Sequence, residues 1–191
     1  MTIQNSKKIF STKTMVAVAM MIAMSYVVSL FEFPIFPATP YLKLDFGNVL
    51  IMLTGFLFGP IWGIIACAIK ESISLIGTSS GGAGQVANMI MTISYILVPS
   101  IAYRFRKGIA SVITTLGIAC ILGTIAAAAA NRFIVFPLYM KDAAVMVFNS
   151  VFWYVIAFNL IKTISISIVT ILLYKRLSNV MKKFTKSYPS A

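Results

Sequence analysis

Asn159 and Lys162 stand three residues apart in a predominantly apolar run, residues 145–174, that holds no other charged residue. On a helix that spacing puts them on one face, together with Val155 and Phe158. A charge deep in an apolar span is costly and faces the bundle interior or a cavity. Asn131 follows five consecutive alanines, residues 126–130, whose small side chains leave room for a flat group or a neighbouring helix. Asn88 lies about one turn into another apolar run. Together Asn88, Asn131, Asn159 and Lys162 would offer amide donors and acceptors plus one cation, a set suited to a neutral polar heteroaromatic ligand. A bare metal ion would want carboxylates instead. Each asparagine taken alone is more often an interhelical hydrogen bond than a binding residue, and a Lys162 satisfied by a buried acid such as Asp45 or Glu71 is compatible with ligand contact.

What the chain lacks narrows the chemistry further. There is no histidine, which removes His-based triads, metal sites and proton relays. No G-x-x-x-x-G-K-[ST] string occurs, so the chain carries no P-loop ATPase of its own. Four acids, Glu32, Asp45, Glu71 and Asp142, are scattered without metal-binding spacing. Cys67 and Cys120 sit singly in apolar spans and read as small buried residues. No paired acid or activated nucleophile is visible, so an enzyme is not expected and no cofactor is called for.

The elements that must position these residues are membrane helices. Of 191 residues, 60% are hydrophobic and 10% charged, too few charges to coat a soluble core of this size. The net charge of +12 clusters at the ends of apolar spans, which argues against nucleic acid. Apolar runs cover about residues 14–31, 46–58, 61–76, 85–103, 109–130 and 147–174, with Gly59 and Pro60 as a turn signal inside the second region. Lys7, Lys8 and Lys13, then Arg104, Arg106 and Lys107, then Lys175, Arg176, Lys182, Lys183 and Lys186 form three basic segments free of acids. The positive-inside rule places all three in the cytoplasm. An even number of crossings must separate them, so the region 46–76 crosses twice. The expected fold is an all-α integral membrane protein of one domain, with six transmembrane helices and both termini cytoplasmic. On this topology all four acids, the proline-broken segment FEFPIFPATPYLKLD and the loop GTSSGGAG face outward. The segment's three prolines forbid a regular helix, and its aromatic content predicts that it packs back onto the bundle.

The strings KLDFGNV (43–49), FGPIWG (58–63), GQVANMI (84–90), NRFIVFPLY (131–139) and FNLIKTISISIVTILLYKRL (158–177) resemble the riboflavin-specific S component of energy-coupling-factor vitamin transporters over nearly the whole chain. The resemblance implies a substrate-binding subunit in a bacterial cell membrane. It would work with a transmembrane coupling subunit and two cytoplasmic ATPases. It implies that Asn131, Asn159 and Lys162 hydrogen-bond the isoalloxazine ring, and that the loop before Asp45 covers the ligand. It further implies that the alanine face of the first span, Ala19 and Ala23, docks on the coupling subunit. Ligand walls would come from Phe36, Tyr41, Leu42, Trp153 and Tyr154, and the ribityl chain would meet Asn88, Gln85 or Asp45. Two positions depart from the family pattern, Asn48 in place of an acid and Ala157 in place of a proline. The rival expectations are an S component for phosphorylated flavins or another vitamin, and a self-sufficient proton-coupled carrier using Glu71 or Asp45.

Overall fold

The structure, a computed structural model, describes residues 11–76 and 82–187, with the side chains of the last helix described as far as Tyr174. Lys7, Lys8, most of the GTSSGGAG loop and the side chains of the basic tail lie outside the described residues. Helix α1 (Thr12–Ser29) starts where the Ser11 hydroxyl accepts from the Thr14 N–H at 3.2 Å, which satisfies a backbone donor that has no helical partner. Helices α2 (Gly47–Phe58) and α3 (Pro60–Ser74) are divided by Gly59, whose φ of +99° favours glycine, and Pro60 opens α3 at a position needing no N–H. Then come α4 (Ala83–Phe105) and α5 (Ile109–Ala130).

The link from α5 to the last helix is more ordered than a simple connecting loop. A π-helical turn (Asn131–Val135), the short helix α6 (Phe136–Met140) and a 3-10 turn (Lys141–Ala143) keep the backbone helical into α7 (Ala144–Ser187). Pro137 follows directly on the π-helical turn, at the second residue of α6, and the change of direction falls on Lys141 at φ +44°. Because α7 continues past Tyr174, the basic tail prolongs the last helix instead of ending it.

The fold is helical throughout apart from one feature that the apolar runs do not announce. Residues Phe33–Pro34 (β1) and Lys43–Leu44 (β2) pair antiparallel, Phe33 opposite Leu44 and Pro34 opposite Lys43. Prolines exclude a helix in this stretch, so extended pairing is the remaining way to satisfy its backbone. An exposed Lys43–Glu32 ion pair at 2.7 Å flanks the hairpin. As expected, the segment folds back: Leu42 and Leu44 are buried with Phe36 and Phe46 against Val155 and Phe158 of α7.

Helix α2 occupies the centre, packed by α1, α3, α4 and α7. It is buried almost all round, with Ile51, Met52, Leu53 and Phe56 in the core, the signature of an interior helix. The outward faces of α1, α5 and α7 are apolar, carrying Met20, Met24, Ile121, Ile125, Trp153 and Leu172 among their exposed residues. By length and hydropathy, three helical stretches among the described residues can cross a membrane: Thr12–Ser29, Ala83–Phe105 and the continuous run Ile109–Tyr174.

A central helix needs a close approach where it begins. The Ser25 hydroxyl donates to the Gly47 carbonyl at 2.8 Å, and a Cβ on Gly47 would lie 2.6 Å from the Ser25 carbonyl oxygen and 3.0 Å from the Ser29 Cβ. Gly47→Ala should therefore force α1 off α2 and lower stability by about 1 to 3 kcal/mol, read as a lower thermal unfolding midpoint in detergent; an unchanged midpoint would refute this contact.

Candidate ligand-binding site

The central position of α2 delivers its N-terminal flank into the bundle, and Asp45 is the residue delivered, at 6% exposure. From α7, Lys162 reaches across to it. The face of α7 that includes Val155, Phe158, Asn159, Lys162, Thr163 and Ile166 is buried at helical spacing. From α3 come Lys70 and Glu71, on the same buried face as Trp62, Ala66 and Cys67. Asn88 and Thr92 come from successive turns of α4.

These side chains close a ring. The Lys162 Nζ donates to Asp45 Oδ2 at 2.8 Å and to Asn88 Oδ1 at 2.9 Å. Asn88 Nδ2 donates to Glu71 Oε1 at 2.6 Å, which also accepts from Lys70 Nζ at 2.7 Å. Lys70 Nζ lies 3.9 Å from Asp45 Oδ1, completing the circuit. Asn48 Nδ2 adds bonds to Thr92 Oγ1 at 2.8 Å and to Asn88 Oδ1 at 3.3 Å. Two carboxylates face two ammoniums, so the ring is neutral overall. Burial alone would push the Asp45 carboxyl up; the Lys162 and Lys70 ammoniums, with the hydrogen bonds from Lys162 and the Gly47 N–H, outweigh it and hold the group below its ordinary value.

The other two amides singled out by the sequence bond to their own helices and not to this ring. Asn159, one turn along α7 from Lys162, donates Nδ2 to the Val155 carbonyl at 2.8 Å. Asn131, in the π-helical turn packed against α4 and α7, donates to the Ala127 carbonyl at 2.8 Å. A carboxamide has two N–H donors and an acceptor, so each retains capacity for another partner. Buried acceptors without a hydrogen-bond partner include Asn48 Oδ1 and Gln85 Oε1. Leu42 is buried beside α7, and Phe36 meets Tyr154 edge-on at 5.6 Å.

Several expectations change. Trp153 is 76% exposed and Tyr41 is 53% exposed, so in this conformation neither walls an interior site: Trp153 points off the buried face of α7. Lys70 and Glu71, 2% and 3% exposed, form a buried pair that belongs to the ring. Asn48 and Thr92 were missed as polar partners. The available signal for the pair was two adjacent charges in register with Ala66 and Cys67 on one helical face; Thr92 carried no signal distinguishing it from other hydroxyls. Ala19 and Ala23 point away from the bundle, since α1 buries Thr14, Val18, Ile22 and Ser25.

Residues 13–174 match the family model for the substrate-specific component of ECF transporters. The chain belongs to that family. It is 36% identical to the riboflavin transporter RibU of Staphylococcus aureus (strain TCH60) over 176 residues, 90% of this chain and 93% of the relative. It is 30% identical to the riboflavin transporter FmnP of Bacillus subtilis (strain 168) over 177 residues, 86% of this chain and 92% of the relative. A solved structure of the S component of a bacterial ECF transporter superposes with a TM-score of 0.77 at 36% identity, covering 89% of this chain and 98% of that one.

The ring should behave as a charge-paired unit. Lys162→Met strands a buried Asp45 carboxylate and should cost about 3 to 5 kcal/mol, whereas Asp45→Leu combined with Lys162→Met should cost far less. Unfolding of the single and double variants in the same detergent measures this coupling; additive losses would disprove it.

Proposed function

We propose that the chain is the riboflavin-binding S component of an ECF-type vitamin importer, capturing riboflavin outside a bacterial cell for ATP-driven uptake with a transmembrane coupling subunit and two cytoplasmic ATPases. The observation that supports this reading is the Lys162–Asn88 hydrogen bond within a neutral buried ring, with Asn159 one turn along α7 from Lys162 and the turn that carries Asn131 packed on α4 and α7. The riboflavin transporters of Staphylococcus aureus and Bacillus subtilis supply the ligand. The isoalloxazine ring is flat, apolar on its faces, and lined along one edge with carbonyl and imine acceptors. Lys162, Asn159 and Asn131 donate to that edge, Leu42 and Phe36 cover a face, and the ribityl hydroxyls meet Gln85, Asn88 or Asp45. The hairpin segment lies over the outer half of α7 as the cover.

In this reading six helices cross the membrane with both termini inside. Two observations support it: Arg104 in the last turn of α4 and Arg106 and Lys107 just beyond it are exposed, and α2 and α3 are separate helices about a glycine. The exposed Ala19 and Ala23 on α1 form the surface that meets the coupling subunit.

Riboflavin should copurify with the chain or bind it with quenched flavin fluorescence. Asn131→Ala and Asn159→Ala should each weaken binding by about 1 to 3 kcal/mol, measured by fluorescence titration; wild-type affinity in both variants would remove these residues from the site. For topology, Lys107→Cys should react with a membrane-impermeant thiol reagent only after cells are permeabilised, against a silent background from the buried Cys67 and Cys120. Labelling of intact cells would overturn the orientation.

A further inference from the structure

The ring contains a pair of charges that the flavin reading does not use. Glu71 and Lys70 lie behind Asn88 and Asp45 as seen from Lys162. Glu71 Oε1 accepts from Asn88 Nδ2 at 2.6 Å and from Lys70 Nζ at 2.7 Å. An ionised carboxylate only accepts and an ammonium only donates. Asn88, bridging the two, therefore has one permitted orientation: its N–H group faces Glu71 and its oxygen faces Lys162. Asn48 Nδ2 donates to the same oxygen at 3.3 Å and reinforces that orientation.

The consequence reaches Lys162. Its ammonium has three N–H bonds in tetrahedral arrangement, and two of them go to Asp45 Oδ2 and Asn88 Oδ1. With those two directions fixed, the third is fixed as well. A freely rotating amide at position 88 would turn its own N–H group toward Lys162 part of the time, which repels a donor and releases the ammonium to rotate. Lys70 in turn neutralises Glu71, while the second Asp45 oxygen, Oδ1, accepts from the Gly47 N–H at 3.0 Å and so keeps a partner without Lys70.

We infer that Glu71, neutralised by Lys70, is a positioning residue of the vitamin site: acting through the Asn88 amide, it aims the remaining N–H of Lys162 at a single acceptor on the ligand while touching no ligand itself. This rests on the flavin-binding reading proposed for the chain. It assigns the pair a role in affinity distinct from holding the bundle together.

The test replaces both charges at once, because a neutral buried pair can substitute for an ionic one with little loss of stability. In Lys70→Met with Glu71→Met, Asn88 loses its acceptor; in Lys70→Met with Glu71→Gln, a carbonyl remains to receive the Asn88 N–H. Riboflavin affinity, by fluorescence titration of the purified full chain, should fall about tenfold in the first and stay within about threefold of wild type in the second, with similar unfolding midpoints for both. Equal affinities in the two double variants, with wild-type binding intact, overturn the positioning role alone. So does an affinity loss in the first variant that accompanies a parallel fall in its unfolding midpoint. A wild-type chain that binds no riboflavin overturns this inference together with the reading it rests on.

Discussion

The ion pair between Asp45 and Lys162 joins residues 117 positions apart, and the arrangement of the bundle follows from the need to make it. Neither group can sit in an apolar interior alone. Asp45 is held inside at the start of α2, which is packed by four other helices. Lys162 shares its buried helical face with Val155, Phe158, Asn159, Thr163 and Ile166. Once both are inside, α3 and α4 must supply the remaining partners, and they do so through the adjacent pair Lys70 and Glu71 and through Asn88. These segments of the chain are thereby locked to one another by charge as well as by packing.

That dependence explains which parts were legible in the sequence. The apolar runs, the break at Gly59 and Pro60, and the depth of Lys162 were readable because each is a local property: composition, turn chemistry, or the distance of a charge from the end of its run. The packing of the proline segment was readable from its aromatic content. The β1–β2 pairing was not, since two-residue strands have no periodicity to detect. The helical turns from Asn131 to Met140 were hidden by Pro137, which reads as a break in sequence but follows a π-helical turn in the structure.

For the site, local reading singled out Asn88, Asn131, Asn159 and Lys162 because amides and charges are rare in these helices, and the structure joins Asn88 and Lys162 directly. It named Asp45 and Glu71 as possible counter-ions to Lys162 without choosing between them. The choice depends on which helices are neighbours: Asp45 pairs directly, while Glu71 reaches Lys162 only through Asn88. Tyr41 and Trp153 stand exposed instead. Aromatic character suggested ligand walls, but the direction of a side chain is set by helix rotation and loop path, which no single residue reveals.

The hairpin segment has its own chain-order consequence. Asp45 leaves the ribosome long before Lys162, yet Lys70 and Glu71 come soon after it, on α3. During membrane insertion the early helices can thus shelter the carboxylate beside Lys70 while α7 is still unmade. The hairpin segment can settle only when its support, the Val155 and Phe158 surface, arrives with α7. Assembly of the charged ring is in this sense timed by synthesis, with the most remote contact serving as the final closure.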